Sequence, residues 1–191
     1  MKSRRPVNSV VRFQKRALNI LRNEHAMDDK RALLRHFLAA LAYRTQKALR
    51  GAPESFSRFR AAPMVRTPHE LVAHMESVLG YALTFLVGGE YNQKPLSDFR
   101  AEILRFHATI EDLAHHLEIG TPFRDITPEK MLQGPFSDAM THAGQLALLR
   151  RLAGSPVPPE NFIYADVQPD NLGTEQPLPV KPGNRHGEWS E

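Results

Sequence analysis

Residues 67–89 read TPHELVAHMESVLGYALTFLVGG, and this stretch decides the fold. Thr67 is placed to cap a helix, Pro68 to occupy its first turn, where a missing N–H costs nothing, and Glu70 to close a capping box. Leu71, Val72, Met75, Val78, Leu79, Ala82 and Leu86 then recur at helical spacing until Gly88-Gly89 stops the run. A helix with so broad an apolar face needs other helices to cover it.

Those partners are legible on both sides. A helix is predicted over residues 29–50, with Leu34, Phe37, Leu38, Leu41, Thr45 and Ala48 on one face and Gly51-Ala52-Pro53 as its terminator. Residues 54–66 are basic, aromatic-spotted and poorly periodic, which predicts a loop or a short helix. After Pro95 a third helix is expected with Ser97 as its cap. Its stripe is Phe99, Ile103, Phe106, Ile110, Leu113 and Leu117, and Gly120 and Pro122 close it. A fourth opens at Thr127-Pro128-Glu129 and lasts to Gly154, with Gly134-Pro135 predicting a kink or restart near Phe136. Beyond Pro156 the chain is proline-rich. A short ordered segment is expected around residues 162–164 and an extended or mobile tail after Asp170. No strand-like alternation of useful length and no internal repeat occurs. The expected fold is all-α, a four-helix bundle over residues 29–165. An N-terminal basic helical arm (1–28) precedes it and a Pro-rich C-terminal tail (166–191) follows.

Composition narrows the chemistry. The chain has 191 residues, no cysteine and a formal charge of +4. Disulfides, thiolate metal sites and a cysteine nucleophile are therefore excluded. Residues 1–23 carry seven basic side chains and no acid, residues 24–165 balance 16 against 16, and residues 166–191 hold five acids against two bases. The basicity belongs to the arm and the body is neutral, so nucleic acid is not expected as a partner. If residues 10–22 are helical, Val10, Phe13, Ala17 and Leu21 share a stripe. The arm's apolar runs are too short for a secretory signal, and no stretch approaches 18 consecutive apolar residues. The expected location is cytoplasmic, with organelle targeting by residues 1–23 left open.

Nine histidines are present. His25, His36, His69, His115, His116 and His186 fall near termini or on polar faces and read as solvated. His74, His107 and His142 lie on or beside apolar stripes, and His107 reads as a core histidine. Asp138 and His142 are four residues apart, so on a helix their side chains lie about 6 Å apart along the axis on one face. Both could then reach one cation, with His74 on the neighbouring helix as a third ligand. Two imidazoles and a carboxylate leave positions open for water or substrate. From spacing alone an ordinary buried Asp–His ion pair or an exposed helix pair is the favoured reading, because i, i+4 pairs are common.

The motif TPHELVAHM at residues 67–75 resembles the second helix of the DinB/YfiT-like metal-binding four-helix bundles. LQGP at 132–135, followed by DAMTHAGQL at 138–146 and RRLAG at 150–154, resembles that family's last helix. The resemblance spans residues 30–165. It implies one divalent metal held by three side chains, His74 from the second helix and the pair Asp138 and His142 from the last. The family usually has histidine where Asp138 stands. A carboxylate there adds negative charge and suits Zn, Ni, Fe or Mn; the alternative is a degenerate site. Gln145 would stand behind a ligand as a hydrogen-bond partner or simply pack, and Gly144 suggests close helix packing. The family implies a small-molecule substrate and a metal-dependent hydrolase or thiol-dependent transferase, with a homodimer expected. The competing expectation is a non-catalytic interaction or oligomerisation module. No paired Glu-x-x-His, His-Glu-x-x-His, phosphate-binding loop or Gly-x-Ser-x-Gly motif is present.

Overall fold

Between Asn8 and Leu49 the chain contains neither glycine nor proline. In this computed structural model, which describes residues 8–179 and side chains from residue 25 onward, α1 (Asn8–Leu49) runs unbroken through that stretch. The helix expected over 29–50 is thus the second half of a longer one, because nothing at residue 28 could stop it. The stripe Val10, Phe13, Ala17 and Leu21 lies outside the described side chains. Burial begins at Arg31 and continues through Leu34, Leu38, Leu41, Thr45 and Ala48.

The other long helices are α2 (Pro68–Val87), α3 (Phe99–Glu118) and α5 (Ser137–Leu152), with α4 (Pro128–Met131) a single turn before α5. The described residues are helical with no strand, as expected for an all-α chain. At α2 the capping box is complete: Glu70 N donates to Thr67 Oγ1 at 3.2 Å and Thr67 N donates to Glu70 Oε2 at 2.7 Å. Gly88 ends the helix at φ +85°, a conformation that few side chains tolerate. The cap of α3 is Asp98 rather than Ser97. Its Oδ1 accepts from Ala101 N at 2.7 Å, the carboxylate being the stronger acceptor for an N-terminal amide.

Contacts along the chain fix the arrangement. His69 packs on Phe99 and Glu76 reaches Thr109, so α2 and α3 run parallel. Phe37 stacks on Phe136 while Arg150 reaches Ala48, so α1 and α5 run parallel too. Arg35 pairs with Glu118, and Arg31 donates to the Thr121 carbonyl, so α1 is antiparallel to α3. Each long helix packs against two others, in the cyclic order α1, α3, α2, α5. The core comprises Leu38, Leu41, Met75, Leu79, Phe106, Ile110, Leu113, Phe136 and Leu146, among others. By length and hydropathy α2 alone among the described helices matches a membrane span, but half of that window is buried in the bundle. It also carries Glu76, a fully buried carboxylate.

Parallel α2 and α3 require residues 88–98 to run back along the bundle. A polar network holds this crossover. Tyr91 donates its hydroxyl to Glu76, and Leu96 N donates to Glu102 Oε2 at 2.6 Å. Arg105 bridges Glu102 at 2.6 Å and the Lys94 carbonyl at 2.9 Å. Room for the Tyr91 ring comes from Gly80, where a Cβ would fall 2.2 Å from a ring carbon. Gly144, expected to allow close packing, has no neighbour within 4 Å of a would-be Cβ. It is exposed, so Gly80 and not Gly144 is the glycine that packing requires.

The tail departs most from expectation. Residues 156–179 fold back on the bundle instead of trailing away. Glu160 accepts from Tyr43 Oη at 2.6 Å and pairs with Lys47 at 2.7 Å. Asp170 pairs with Arg35 at 2.8 Å, and Leu172 is buried against the core. His107 bonds the Leu172 carbonyl through Nδ1 at 2.6 Å, and Arg50 donates to the Gln176 carbonyl. The physical reason is that scattered polar anchors, invisible to periodicity, give a proline-rich segment fixed attachment points. The tail beyond residue 179 lies outside the described residues.

Candidate metal centre

Pro135 has no N–H to continue the helical ladder, and the chain responds with a widened π-helical turn, Leu132–Phe136. Ser137 Oγ adds a hydrogen bond to the Leu132 carbonyl at 2.6 Å, which already accepts the Ser137 backbone N–H. The kink expected at Gly134-Pro135 is this turn. It resets the phase of α5 so that Asp138 and His142, one turn apart, face α2.

Opposite them on α2, the second turn after the capping box presents His74. Its Nε2 lies 3.5 Å from Asp138 Oδ2, and His142 Nε2 lies 3.5 Å from Asp138 Oδ1. The two imidazole rings meet edge to face, with centroids 4.7 Å apart. One ligand atom from each of the three residues lies within 4.8 Å of the other two. His142 is buried, His74 half-buried and Asp138 exposed, so the cluster is anchored on one side and reachable on the other.

The proton inventory of the cluster favours a cation. Gln145 Oε1 lies 2.9 Å from His142 Nδ1, and with the metal-binding tautomer, Nδ1 protonated, the Nε2 lone pair would face the Asp138 carboxylate. Lone pair and carboxylate facing one another across 3.5 Å repel unless a cation or proton lies between them. Burial pushes the His74 pKa below the ordinary histidine value, and the charge of Arg66 pushes the same way, against the opposing pull of Asp138. His74 is thereby kept in the neutral form that binds metal. Two imidazole nitrogens and one carboxylate are a donor set suited to Zn, Ni, Fe or Mn, so the residues fit a single divalent ion.

Two cavities flank the cluster. One, of about 660 Å³, is bordered by His74 together with Arg58, Arg60, His69, Ser77 and Gln93. The other, of about 560 Å³, is bordered by His142 and Gln145 and by Leu71, Leu148, Leu149 and Leu152. Its remaining wall is the segment before α2, including Met64, Val65 and Arg66. Arg60 braces that segment, donating to the Val65 carbonyl at 2.5 Å and to Glu70 at 2.9 Å.

The sequence-selected residues His74, Asp138, His142 and Gln145 are therefore brought together. His107 stands apart, buried and bonded to the tail as a core histidine. His25, His36 and His115 are exposed as expected, and His186 lies outside the described residues. His69 departs from the solvated reading: it is half-buried against Phe99, and its Nε2 is buried with no hydrogen-bond partner. His116 is also half-buried and bonds Thr121 Oγ1 at 3.0 Å. Sequence reading missed Arg66, whose only signal was a basic residue just ahead of the α2 cap. No known protein family, curated protein or solved structure matches this chain.

Proposed function

We propose that this chain is a DinB/YfiT-like bundle holding one divalent metal through His74, Asp138 and His142, and acting there on a small molecule. The observation that carries this reading is the convergence of three ligand atoms from two helices within 4.8 Å. The Gln145 contact to His142 Nδ1 supports it, since it leaves Nε2 directed into the cluster. So does the resemblance of residues 67–75 and 132–154 to that family's motif-bearing helices.

A metal in such an open, mixed-ligand site would polarise a bound substrate and lower the pKa of a bound water or thiol. The protein's own contribution is positional. The π turn orients Asp138 and His142, Gln145 fixes one ring, and Arg66 brings a positive charge to the cavity that His142 borders, where an anionic group would be held. The two cavities open on different ligands, so substrate could approach beside either imidazole. Within this reading the activity is that of a metal-dependent hydrolase or thiol-dependent transferase.

The test is metal analysis of the purified chain after reconstitution with Zn²⁺ or Ni²⁺. Near-stoichiometric metal in the wild type, lost in Asp138→Ala and His142→Ala, is the expected result. Absence of bound metal after reconstitution would overturn the proposal.

A further inference from the structure

We propose that the cavity beside His142 takes the alkyl chain of a linear amphiphile, whose single anionic head group lies between the metal cluster and Arg66. The inference rests on the metal reading for the position of the head group. The chain-binding part stands on the cavity itself.

The cavity is lined mostly by apolar side chains. Leu148 and Leu152 lie one turn apart on α5 and are 54% and 56% exposed, with Leu149 and Leu71 at the floor. Met64 faces them from the segment before α2 at 99% exposure and φ +64°. A methionine in the left-handed region costs free energy, and here its side chain touches nothing that would offset the cost. Strained backbone with an uncovered flexible apolar side chain is suited to folding over a ligand that supplies the missing contacts. At about 560 Å³ the cavity is of the size that encloses a small organic molecule.

The polar residues of the lining are His142, Gln145 and Arg66, set among apolar walls. A divalent ion held by one carboxylate retains a net positive charge, and Arg66, which has no hydrogen-bond or ion-pair partner among the described residues, adds another. One negative head group answers both, while a neutral or cationic one answers neither. An apolar cavity with positive charge in its lining fits a carboxylate with an unbranched chain.

The experiment measures binding of butanoate, hexanoate and octanoate to the full chain by calorimetry, below the micellar range, with and without Zn²⁺. Zn²⁺ is titrated separately on the same samples. Affinity is expected to rise about fourfold per methylene in both states, the increment for burying one CH₂, with Zn²⁺ raising all three by a common factor. Leu148→Gln, at an exposed position that the fold does not need, should abolish the chain-length dependence without changing Zn²⁺ binding. Arg66→Gln should weaken all three about equally. Equal affinity for butanoate and octanoate would overturn the inference whatever Zn²⁺ does. So would a concentration-dependent dimer that Leu148→Gln dissociates while octanoate leaves it intact, since a second copy would then be the occupant. Failure of Zn²⁺ alone to bind overturns the metal reading and leaves the chain-length series to decide this one.

Discussion

Gln145 holds the His142 ring from one turn further along α5, accepting from Nδ1 at 2.9 Å and leaving Nε2 to face Asp138. A ligand fixed in this way is both oriented and made more basic. Gln145→Ala should therefore lower Zn²⁺ affinity by about 10–100-fold with the fold unchanged. Calorimetric titration reads it, and an unchanged affinity would leave Gln145 as a packing residue only.

Asp138 is the centre of the cluster, within 3.5 Å of both histidines. Zn²⁺ at a hundred times its dissociation constant should stabilise the wild type by about 2.7 kcal/mol. For a chain of this size that corresponds to a rise in Tm of about 5–10 °C. The rise should vanish in Asp138→Ala and persist in Asp138→His, which supplies a third imidazole. Thermal melts with and without Zn²⁺ check both, and loss of the rise in Asp138→His would argue against interchangeable ligands.

Gly80 and Tyr91 are locked together, because the ring lies where a Cβ would be and its hydroxyl is held by Glu76. Gly80→Ala must displace the ring and leave the buried Glu76 short of a donor, at a cost of about 2–4 kcal/mol. Gly144→Ala, with open space around it, should instead stabilise by about 0.5–1 kcal/mol through helix propensity. Urea denaturation of the two variants should give shifts of opposite sign.

Burial holds the His107 pKa below its ordinary value, with the Leu172 carbonyl only partly opposing the shift. The unfolded chain therefore binds a proton near pH 6.5 that the folded chain refuses. The stability tied to His107 is complete above that pH and is lost as pH falls toward the lower folded pKa. The slope can reach about 1.4 kcal/mol per pH unit. Glu76, whose pKa burial raises, acts with the opposite sign but is common to both proteins in the comparison. His107→Gln should flatten the acid-side decline between pH 6.5 and 5. Denaturant midpoints across that range read the difference, and parallel curves would remove His107 as the source.

Glu160 has a side chain only 1% exposed and is satisfied by Tyr43 and Lys47. Glu160→Ala should cost about 2–3 kcal/mol and release the tail, since hydrogen bonds to a charged group are the stronger kind. Limited proteolysis should then cut within residues 156–179 before any site in the bundle.

How much of this was legible can be traced residue by residue. The capping box of α2 and the stripe of α3 were read directly, because caps and apolar periodicity are local properties. So was the break at Gly134-Pro135. The α3 cap was misplaced by one residue, since Ser97 and Asp98 differ only in which oxygen reaches the Ala101 amide.

What the sequence by itself determined is the set of helices, their stops and the shortlist His74, Asp138, His142 and Gln145. Covalent spacing and side-chain polarity act over one or two turns, and that range suffices for each. The tertiary structure alone decided that α2 and α5 bring the shortlist together, that the tail closes over α1 and α3, and that Arg66 and His142 border one cavity. The burial of Glu76 and Glu102 was likewise decided there, as was the role of Gly80 in place of Gly144. Each of these depends on which surfaces meet across the bundle, a packing outcome that no single helix encodes.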